Sequence, residues 1–186
     1  MYRELDEQEL ARYCCRRDRV AEDELYRRYA AKVNMLCLRY SDNGEDAEDL
    51  MQEALMKALD KISTWSYSGK GSLYVWIRQI AINLAIDKIR KKRLRFIPID
   101  RWVRDNIPEP TEEEIGSVPH EKLLEWISRL PDLRRTVFNM YCIDGYSHKE
   151  IAGMLGISEK GSAGVLAKAR KQLKEEIKRY QNEREQ

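Results

Sequence analysis

One polar stripe in the middle of the chain has the composition of a nucleic-acid contact. Its residues recur at spacings of 3, 4, 4 and 3, which places them on one face of a helix predicted over about 71–92. A ring can stack on an unpaired base for about 1–3 kcal/mol, an asparagine can hydrogen-bond a base edge, and cations can hold phosphates. The stripe is Trp76, Gln79, Asn83, Asp87 and Arg90, and it runs into KIRKKRLR at 88–95. This pattern favours contact with single-stranded nucleic acid; the alternative is that Trp76 is a core residue and the others form a solvated face.

The loop before this helix supports the same interpretation. TWSYSGKGS at 64–72 is rich in serine and glycine and carries two aromatic side chains, Trp65 and Tyr67. A flexible loop of polar and aromatic residues can wrap a base that has left the stack. The loop therefore weakens the alternative of a purely structural stripe.

An acidic stretch upstream has the character of a docking face. GEDAEDLMQE at 44–53 carries five acids and no base, and Asp46, Asp49 and Glu53 are spaced by 3 and 4, so they share a helical face. Three carboxylates could hold a metal, but no histidine or loop cage accompanies them. Acids at a helix start also suit the helix dipole. The more specific interpretation is a face that docks on a basic protein.

The last third of the chain predicts a helix-turn-helix. Ser147 and Glu150 form a capping-box pattern that opens a short helix, Gly156 permits a sharp turn, and Ser158 can cap the next helix. That last helix should have one buried stripe and one basic face. The buried stripe is predicted as Ser162, Leu166, Ala169, Leu173 and Ile177, and the basic face as Lys160, Lys168 and Lys171. The alternative is a plain helical hairpin, which the basic face disfavours.

Helical periodicity extends through nearly the whole chain, so we predict an all-α protein of two small helical domains. Two further apolar stripes precede the polar one. They are Leu25, Tyr29, Val33, Leu36 and Tyr40, and Ala47, Leu50, Met51, Ala54, Leu55, Ala58 and Ile62. The predicted divisions are a helical bundle over 1–92, a linker over 93–119 and the helix-turn-helix domain over 120–186. The linker holds four of the five prolines.

Composition excludes several classes of protein. The chain has 186 residues, of which 42% are hydrophobic and 35% charged, so it can bury a core. Its apolar runs are too short to span a membrane, and MYRELDEQEL at its start lacks the apolar region of a signal peptide. Four cysteines form no C-x-x-C pair and no Cys/His cluster. We therefore expect a cytoplasmic protein with free thiols packed in its helices, and with no metal, no cofactor and no catalytic site.

Taken in order, these segments resemble a bacterial extracytoplasmic-function (ECF, group IV) sigma factor. DAEDLMQEALMKAL resembles the segment that docks on the clamp helices of RNA polymerase. GSLYVWIRQIAINLAIDKIRKKR resembles the segment that melts and recognises the −10 promoter element. LPDLRRTVFNMYCIDGYSHKEIAGMLGIS, followed by KARKQL, resembles the helix-turn-helix that binds the −35 element. The resemblance covers about residues 20–92 and 120–178 and implies a protein that lends promoter specificity to polymerase.

The resemblance also implies a role for each group of residues. Polymerase binding would fall to Asp46, Asp49, Gln52 and Glu53. Contact with −10 DNA would fall to Ser66, Tyr67, Ser68, Lys70, Trp76, Arg78, Asn83, Arg90, Lys91 and Lys92. Contact with the −35 duplex would fall to Lys149, Lys160, Ser162, Lys168, Arg170 and Lys171. The resemblance implies three partners. Core RNA polymerase would be bound through its clamp helices and flap, and promoter DNA would be bound as duplex at −35 and as melted strands at −10. The third partner would be a separate anti-sigma factor.

The start of the predicted recognition helix departs from the family pattern. Ala163, Gly164 and Val165 stand where the family usually has polar or basic residues. Gly161 and Gly164 also weaken the helix start by roughly 0.8–1 kcal/mol each relative to alanine. We therefore expect the −35 element to be found through DNA backbone and shape, with sharper base readout at the Asn83 end.

Two other functions compete with the sigma-factor hypothesis. One is a helix-turn-helix transcriptional regulator with a helical sensing domain, which needs neither the aromatic–amide stripe nor the acidic face. The other is an enzyme acting on nucleic acid, which no catalytic constellation in the sequence supports.

Overall fold

The computed structural model describes residues 2–94 and 118–184, with side chains up to Lys92 in the first range. All regular structure in those two ranges is helical, which confirms the predicted all-α class. The chain divides into two compact units, Met1–Lys88 and Ile89–Gln186. The predicted linker falls for the most part on residues 95–117, which lie outside the described residues. Within the described ranges, no helix combines the length and the apolar character needed to cross a membrane.

The first unit is built from four helices, of which three begin at a side-chain cap supplied by the preceding residue. The helices are α1 (Glu7–Cys15), α2 (Arg19–Leu38), α3 (Gly44–Lys61) and α4 (Ser72–Leu94), whose last residues pass beyond Lys88, with short 3-10 turns at Tyr2–Glu4 and Ile62–Thr64. Asp6, Asp18 and Asn43 each accept a hydrogen bond from a backbone N–H of the first turn that follows. The sequence patterns had predicted α2, α3 and α4 but not α1.

The core of the first unit combines the two predicted apolar stripes with one face of α1 and one face of α4. Every residue of both stripes is buried, including Ile62 in the turn after α3. On α4 the buried residues include Leu73, Ile77, Ala81 and Leu84, as expected from their spacing. Burial of a leucine or isoleucine side chain contributes about 1.5–3 kcal/mol. These contacts hold α4 with its opposite face outward.

A cluster of charged and polar groups attaches the N-terminal segment to α2. Arg28 donates hydrogen bonds from Nη1 to the carbonyl of Leu5 at 2.7 Å and from Nη2 to the carbonyl of Tyr2 at 2.8 Å. Its Nε donates to Glu24 Oε1 at 2.7 Å, and the Glu24 side chain is only 6% exposed. The hydroxyl of Tyr2 donates to Asp18 Oδ2 at 2.7 Å. The position of α1 is therefore fixed by specific hydrogen bonds in addition to apolar packing.

The second unit is a short helical pair followed by the predicted helix-turn-helix. Its helices are α5 (His120–Ser128), α6 (Asp132–Phe138), α7 (His148–Leu155) and α8 (Glu159–Arg184), and a π-helical turn at Asn139–Ile143 extends α6. The capping box of Ser147 and Glu150 is present at the start of α7. Gly156 has φ of 65°, which confirms it as the left-handed residue of the turn.

The end of α8 packs against α5 in the core of this unit. Val118, Trp126 and Leu130 lie against three residues of the predicted stripe. Those residues are Ala169, Leu173 and Ile177, all buried. The Trp126 ring also meets Tyr180 edge-on, with centroids 5.8 Å apart. The buried stripe therefore extends far along α8, which ends at Arg184.

The sequence predicted free thiols packed in helices; all four are free, but the structure buries only two of them. Cys14 and Cys37 are buried, and desolvation raises the pKa of each to about 12. Cys15 and Cys142 are exposed, so the prediction is wrong for these two. Cys15 is the last residue of α1, and Cys142 lies in the π-helical turn that extends α6.

Candidate nucleic-acid interface

The acidic residues of α3 form one exposed face opposite its buried stripe. Asp46, Asp49, Gln52 and Glu53 are all exposed, so the structure brings the predicted docking residues together. Asn43 Nδ2 donates to Asp46 Oδ2 at 2.8 Å, and Glu53 lies 3.4 Å from Lys88 Nζ. In the described part of the chain, no group of three or more His, Cys, Asp or Glu side chains could hold a metal ion. The face is therefore an exposed charged surface.

The loop before α4 presents the polar and aromatic side chains that its sequence predicted. Ser66, Tyr67, Ser68 and Lys70 are exposed, and the ring of Trp65 meets that of Tyr67 edge-on at 6.1 Å. The loop reverses through Gly69 and Gly71, whose φ values are 125° and 91°. Such angles favour glycine, because a side chain would strain the backbone there.

The outward face of α4 carries an ordered pair of amides. Gln79 Nε2 donates to Asn83 Oδ1 at 3.1 Å, which orients the exposed Asn83 amide and leaves its Nδ2 group as a donor. Trp76 and Arg78 are half-buried, so Trp76 does not belong to the core, contrary to the structural alternative. The cations at the end of the helix, Arg90, Lys91 and Lys92, are exposed.

The helix-turn-helix is held at its centre by His148. Its Nδ1 forms a hydrogen bond with Ser162 Oγ at 2.9 Å, which joins the first turn of α7 to the first turn of α8. The Tyr141 ring stacks on the imidazole, with centroids 4.4 Å apart and planes 19° apart. The Arg170 guanidinium lies 5.8 Å from the centroid of the Tyr141 ring. Desolvation, and then the charge of Arg170, lower the pKa of His148, while Glu159 raises it.

The start of α8 has a core side and an outer side, and one predicted DNA contact lies on the core side. Ser162 is fully buried, so its place in the predicted stripe is confirmed and its predicted contact with the −35 duplex is wrong. Its hydroxyl is engaged by His148 and cannot reach DNA. Val165 is also a core residue, at 1% exposure. On the outer side, the exposed residues are Lys160, Ala163 and Lys171, and the half-buried residues are Gly164, Lys168 and Arg170. On α7, Lys149 is also exposed.

Comparison with known proteins identifies the family. The model of Sigma-70 region 2 matches residues 25–95, and that of Sigma-70, region 4 matches residues 120–173. The chain is 29% identical over 153 residues to the ECF RNA polymerase sigma factor SigM of Bacillus subtilis (strain 168), covering 82% of this chain and 92% of SigM. It is 30% identical over 165 residues to SigW of the same organism, covering 81% and 85%. The chain belongs to the ECF RNA polymerase sigma factors.

As an ECF sigma factor the protein directs transcription initiation, and it is not an enzyme. The identification from sequence is confirmed, and the sensing regulator and the nucleic-acid enzyme are both excluded. A solved structure of the sigma factor RpoE in complex with the anti-sigma factor NepR from Bartonella quintana aligns with a TM-score of 0.51 at 20% identity. It covers 82% of this chain and 94% of RpoE, and it supports the fold alone.

Two features of this sigma factor's surfaces were not predicted from the sequence. Met56 is 66% exposed and extends the acidic face of α3, one helical turn beyond Gln52. Met56 follows Gln52 by four residues and Glu53 by three, and this spacing could have placed it on the same helical face from the sequence. The pairing of His148 with Ser162 had no such signal, because it joins residues 14 apart across a turn.

The pairing of His148 predicts a pH dependence for the helix-turn-helix. The pKa of His148 is lower in the folded protein than its ordinary value of 6.5, so the unfolded chain binds more protons as the pH falls. The stability that neutral His148 contributes is fully present above the pKa that this histidine has in the unfolded chain. It is lost as the pH falls through the lower pKa that His148 has in the folded protein. We expect peptides covering α7 and the start of α8 to lose protection from hydrogen exchange as the pH falls below about 6.5, after correction for intrinsic rates.

His148→Gln should weaken this pH dependence. His120→Gln is the matched control, because His120 is exposed at the start of α5. If His148→Gln retains the full pH dependence of the wild type, the titrating group is not His148.

Proposed function

We propose that the first unit docks on the clamp helices of core RNA polymerase and opens the promoter at −10, while the second unit binds the −35 duplex and the polymerase flap. The observation that carries the proposal is the amide pair Gln79–Asn83, with Asn83 exposed, on the helix that follows a polar and aromatic loop. The pair lies within the segment that matches Sigma-70 region 2. A sigma factor needs no bond-making groups of its own, because polymerase supplies the chemistry.

The acidic face of α3 supports polymerase docking. Protein interfaces combine apolar contact with a polar rim, and the exposed Met56 supplies apolar area beside Gln52 and Glu53. The ion pair between Glu53 and Lys88 is half exposed at both ends. Such a pair contributes about 0–1 kcal/mol, so a basic surface on the partner can displace Lys88 at little cost.

The −10 assignment rests on the loop at 65–71 and the outward face of α4. We assign capture of an unstacked base to the loop residues Ser66, Tyr67, Ser68 and Lys70, with Asn83 reading a base edge. Trp76 and Arg78, both half-buried, would support the melted junction from the same helix. Arg90, Lys91 and Lys92 would hold the phosphates, since exposed cations release counterions when they neutralise a backbone.

The −35 assignment rests on the outer side of α8 and on Lys149. Ala163 and Gly164 have almost no side chain, so the helix can approach the groove wall closely. Lys160, Lys168 and Lys171 surround these small residues, and Arg170 lies behind them against Tyr141. This arrangement offers phosphate contacts and shape readout, and few groups that can discriminate bases.

An anti-sigma factor is the further partner that we propose. RpoE of Bartonella quintana has been solved with the anti-sigma factor NepR, and its fold resembles that of this chain. A regulator of this kind would have to cover the acidic face of α3 or the polar face of α4. We infer that the protein acts in the cytoplasm, where bacterial polymerase meets the chromosome.

Reversing the charge of Asp49 should weaken binding to core polymerase. Asp49→Lys places a like charge against the basic surface expected on the clamp, and we expect the dissociation constant to rise by roughly tenfold or more. Competition with a fluorescent wild-type protein for core polymerase measures it. Asp23→Lys makes the same charge change at an exposed position on α2 and should have no effect. Equal affinities for the two variants would remove Asp49 from the interface.

Truncating Asn83 should separate promoter opening from polymerase binding. Asn83→Ala removes a base-edge contact, so open-complex formation should fall by roughly tenfold while affinity for core polymerase stays the same. Permanganate reactivity of unpaired thymines reports opening. Asn182→Ala, an exposed amide near the end of α8, is the control. Parallel loss of opening and core affinity would contradict a −10 role for Asn83.

The two DNA-binding ends should differ in how strongly they select bases. Holoenzyme assembled with core polymerase and challenged with a library randomised at −10 and −35 should return promoters with sharper base selection at −10. Strong selection at every −35 position would show that α8 reads bases after all. Failure of the protein to bind core polymerase would overturn the whole assignment.

A further inference from the structure

The carboxylate of Glu7 caps helix α4 from a different helix. Gly71 directly precedes the first residue of α4 and has no side chain that could accept the amides of the first turn. Glu7 Oε2 accepts hydrogen bonds from the N–H of Gly71 at 3.0 Å and from the N–H of Leu73 at 3.4 Å. Its negative charge also faces the positive end of the helix dipole. Across 64 residues of sequence, Glu7 performs the role of an N-cap side chain.

The second oxygen of the same carboxylate is held by α2. Tyr29 donates its hydroxyl to Glu7 Oε1 at 3.2 Å, and its ring stacks with that of Tyr74 in the first turn of α4, with centroids 6.3 Å apart and planes 14° apart. Burial, and then the charge of Glu7, raise the pKa of Tyr29, so its hydroxyl remains a donor at neutral pH. Glu7 and Tyr29 thus join α1, α2 and the start of α4.

The helix that carries Glu7 cannot move independently of the bundle. Arg28 holds the carbonyls of Tyr2 and Leu5 on the N-terminal side of α1, and Leu10 and Cys14 are buried on its inner face. The carboxylate therefore presents a fixed acceptor to α4. It is not a surface side chain that meets the loop by chance.

The contact falls where the loop at 65–71 enters α4. Gly69 and Gly71 both have positive φ, and glycine gives the backbone more freedom than any other residue. The N–H of Ser68 donates to Ser72 Oγ at 3.3 Å, so the loop also has a local attachment to α4. The bonds from Gly71 and Leu73 to Glu7 fix the end of the loop relative to the rest of the bundle.

We propose that Glu7 is a positioning residue for −10 recognition: by capping α4 it fixes the exposed side chains of the loop relative to the Gln79–Asn83 pair. The inference rests on the −10 role proposed above for the loop and for Asn83. Glu7 precedes residues 25–95, the range that matches Sigma-70 region 2. The N-terminal helix thereby becomes part of the promoter-opening apparatus without contacting DNA.

The test compares Glu7→Ala, Glu7→Gln and the control Glu4→Ala in the full chain assembled with core polymerase. Glu4 is an exposed acid in the preceding turn. On a promoter selected from the library by the wild-type holoenzyme, Glu7→Ala should slow open-complex formation by roughly fivefold, as expected for loss of a helix cap. Affinity for core polymerase should not change. Glu7→Gln retains an acceptor oxygen and should restore most of the rate.

Hydrogen exchange of the free protein tests the contact without any promoter. Peptides covering residues 69–75 should exchange faster in Glu7→Ala than in the wild type or in Glu4→Ala, while those of α3 stay unchanged. Tyr29→Phe removes only the hydroxyl that holds Glu7, and should slow opening by a smaller factor in the same direction. That variant provides the functional test if Glu7→Ala does not fold.

Three results would overturn the proposal, and they are distinct from failure of the −10 assignment. The first is that Glu7→Ala opens the promoter at the wild-type rate. The second applies if Glu7→Ala is unfolded, and is that Tyr29→Phe opens the promoter at the wild-type rate. The third is that a variant loses promoter opening and affinity for core polymerase to the same extent. The last would indicate a general loss of structure. If the wild-type holoenzyme opens no promoter, the proposed function itself fails. Opening by the wild type and equally by Glu7→Ala rejects only the role of Glu7.

Discussion

Helix α4 must bury one face and keep the other in water, and the function proposed for the first unit depends on that division. Leu73 and Ile77 are fully buried, whereas Asn83 on the same helix is exposed. Without the apolar contacts the amides of Gln79 and Asn83 would have no fixed position for the proposed contact with a base. A helix designed only for stability would have a more uniformly solvated outer face; here Trp76 and Arg78 lie half-buried between core and solvent.

The second unit meets a related constraint within a shorter segment. In the proposed function the first turns of α8 pack against α7 and also approach a DNA groove, so small residues are needed on both sides of the helix. Ser162 and Val165 fill the inner side, and Ala163 and Gly164 occupy the outer side. A buried serine needs a partner, because an unpaired hydroxyl in the interior costs about 1–3 kcal/mol. His148 supplies it, and the bond joins the first turn of α7 to the first turn of α8.

In the proposed function, local charge divides the surface between a protein partner and a nucleic acid. The chain carries a net charge of only +2, so overall charge gives little attraction to DNA. Local charge is much stronger, with carboxylates along α3 and cations at the end of α4 and along α8. A protein with this charge distribution is expected to gain much of its affinity for DNA only after polymerase has placed both units on the promoter.

The sequence alone determined the features that depend on short-range periodicity. Apolar residues spaced by 3 and 4 located α2, α3, α4 and α8, and the Ser147–Glu150 capping box located α7. The order of the acidic, aromatic–amide and helix-turn-helix segments identified the family before any contact was known. These signals survive in the sequence because helix faces and caps involve residues within four positions of each other.

Only the tertiary structure decided which side chains meet across long separations. Glu7 reaches Gly71 because α1 is held against α2, and neither the existence of α1 nor that contact follows from local spacing. The hydroxyl of Ser162 was assigned both to the core and to DNA until its burial against His148 removed the second role. Burial and pairing of this kind depend on how whole helices pack against each other. The free energy of that packing is the sum over many contacts between residues distant in sequence.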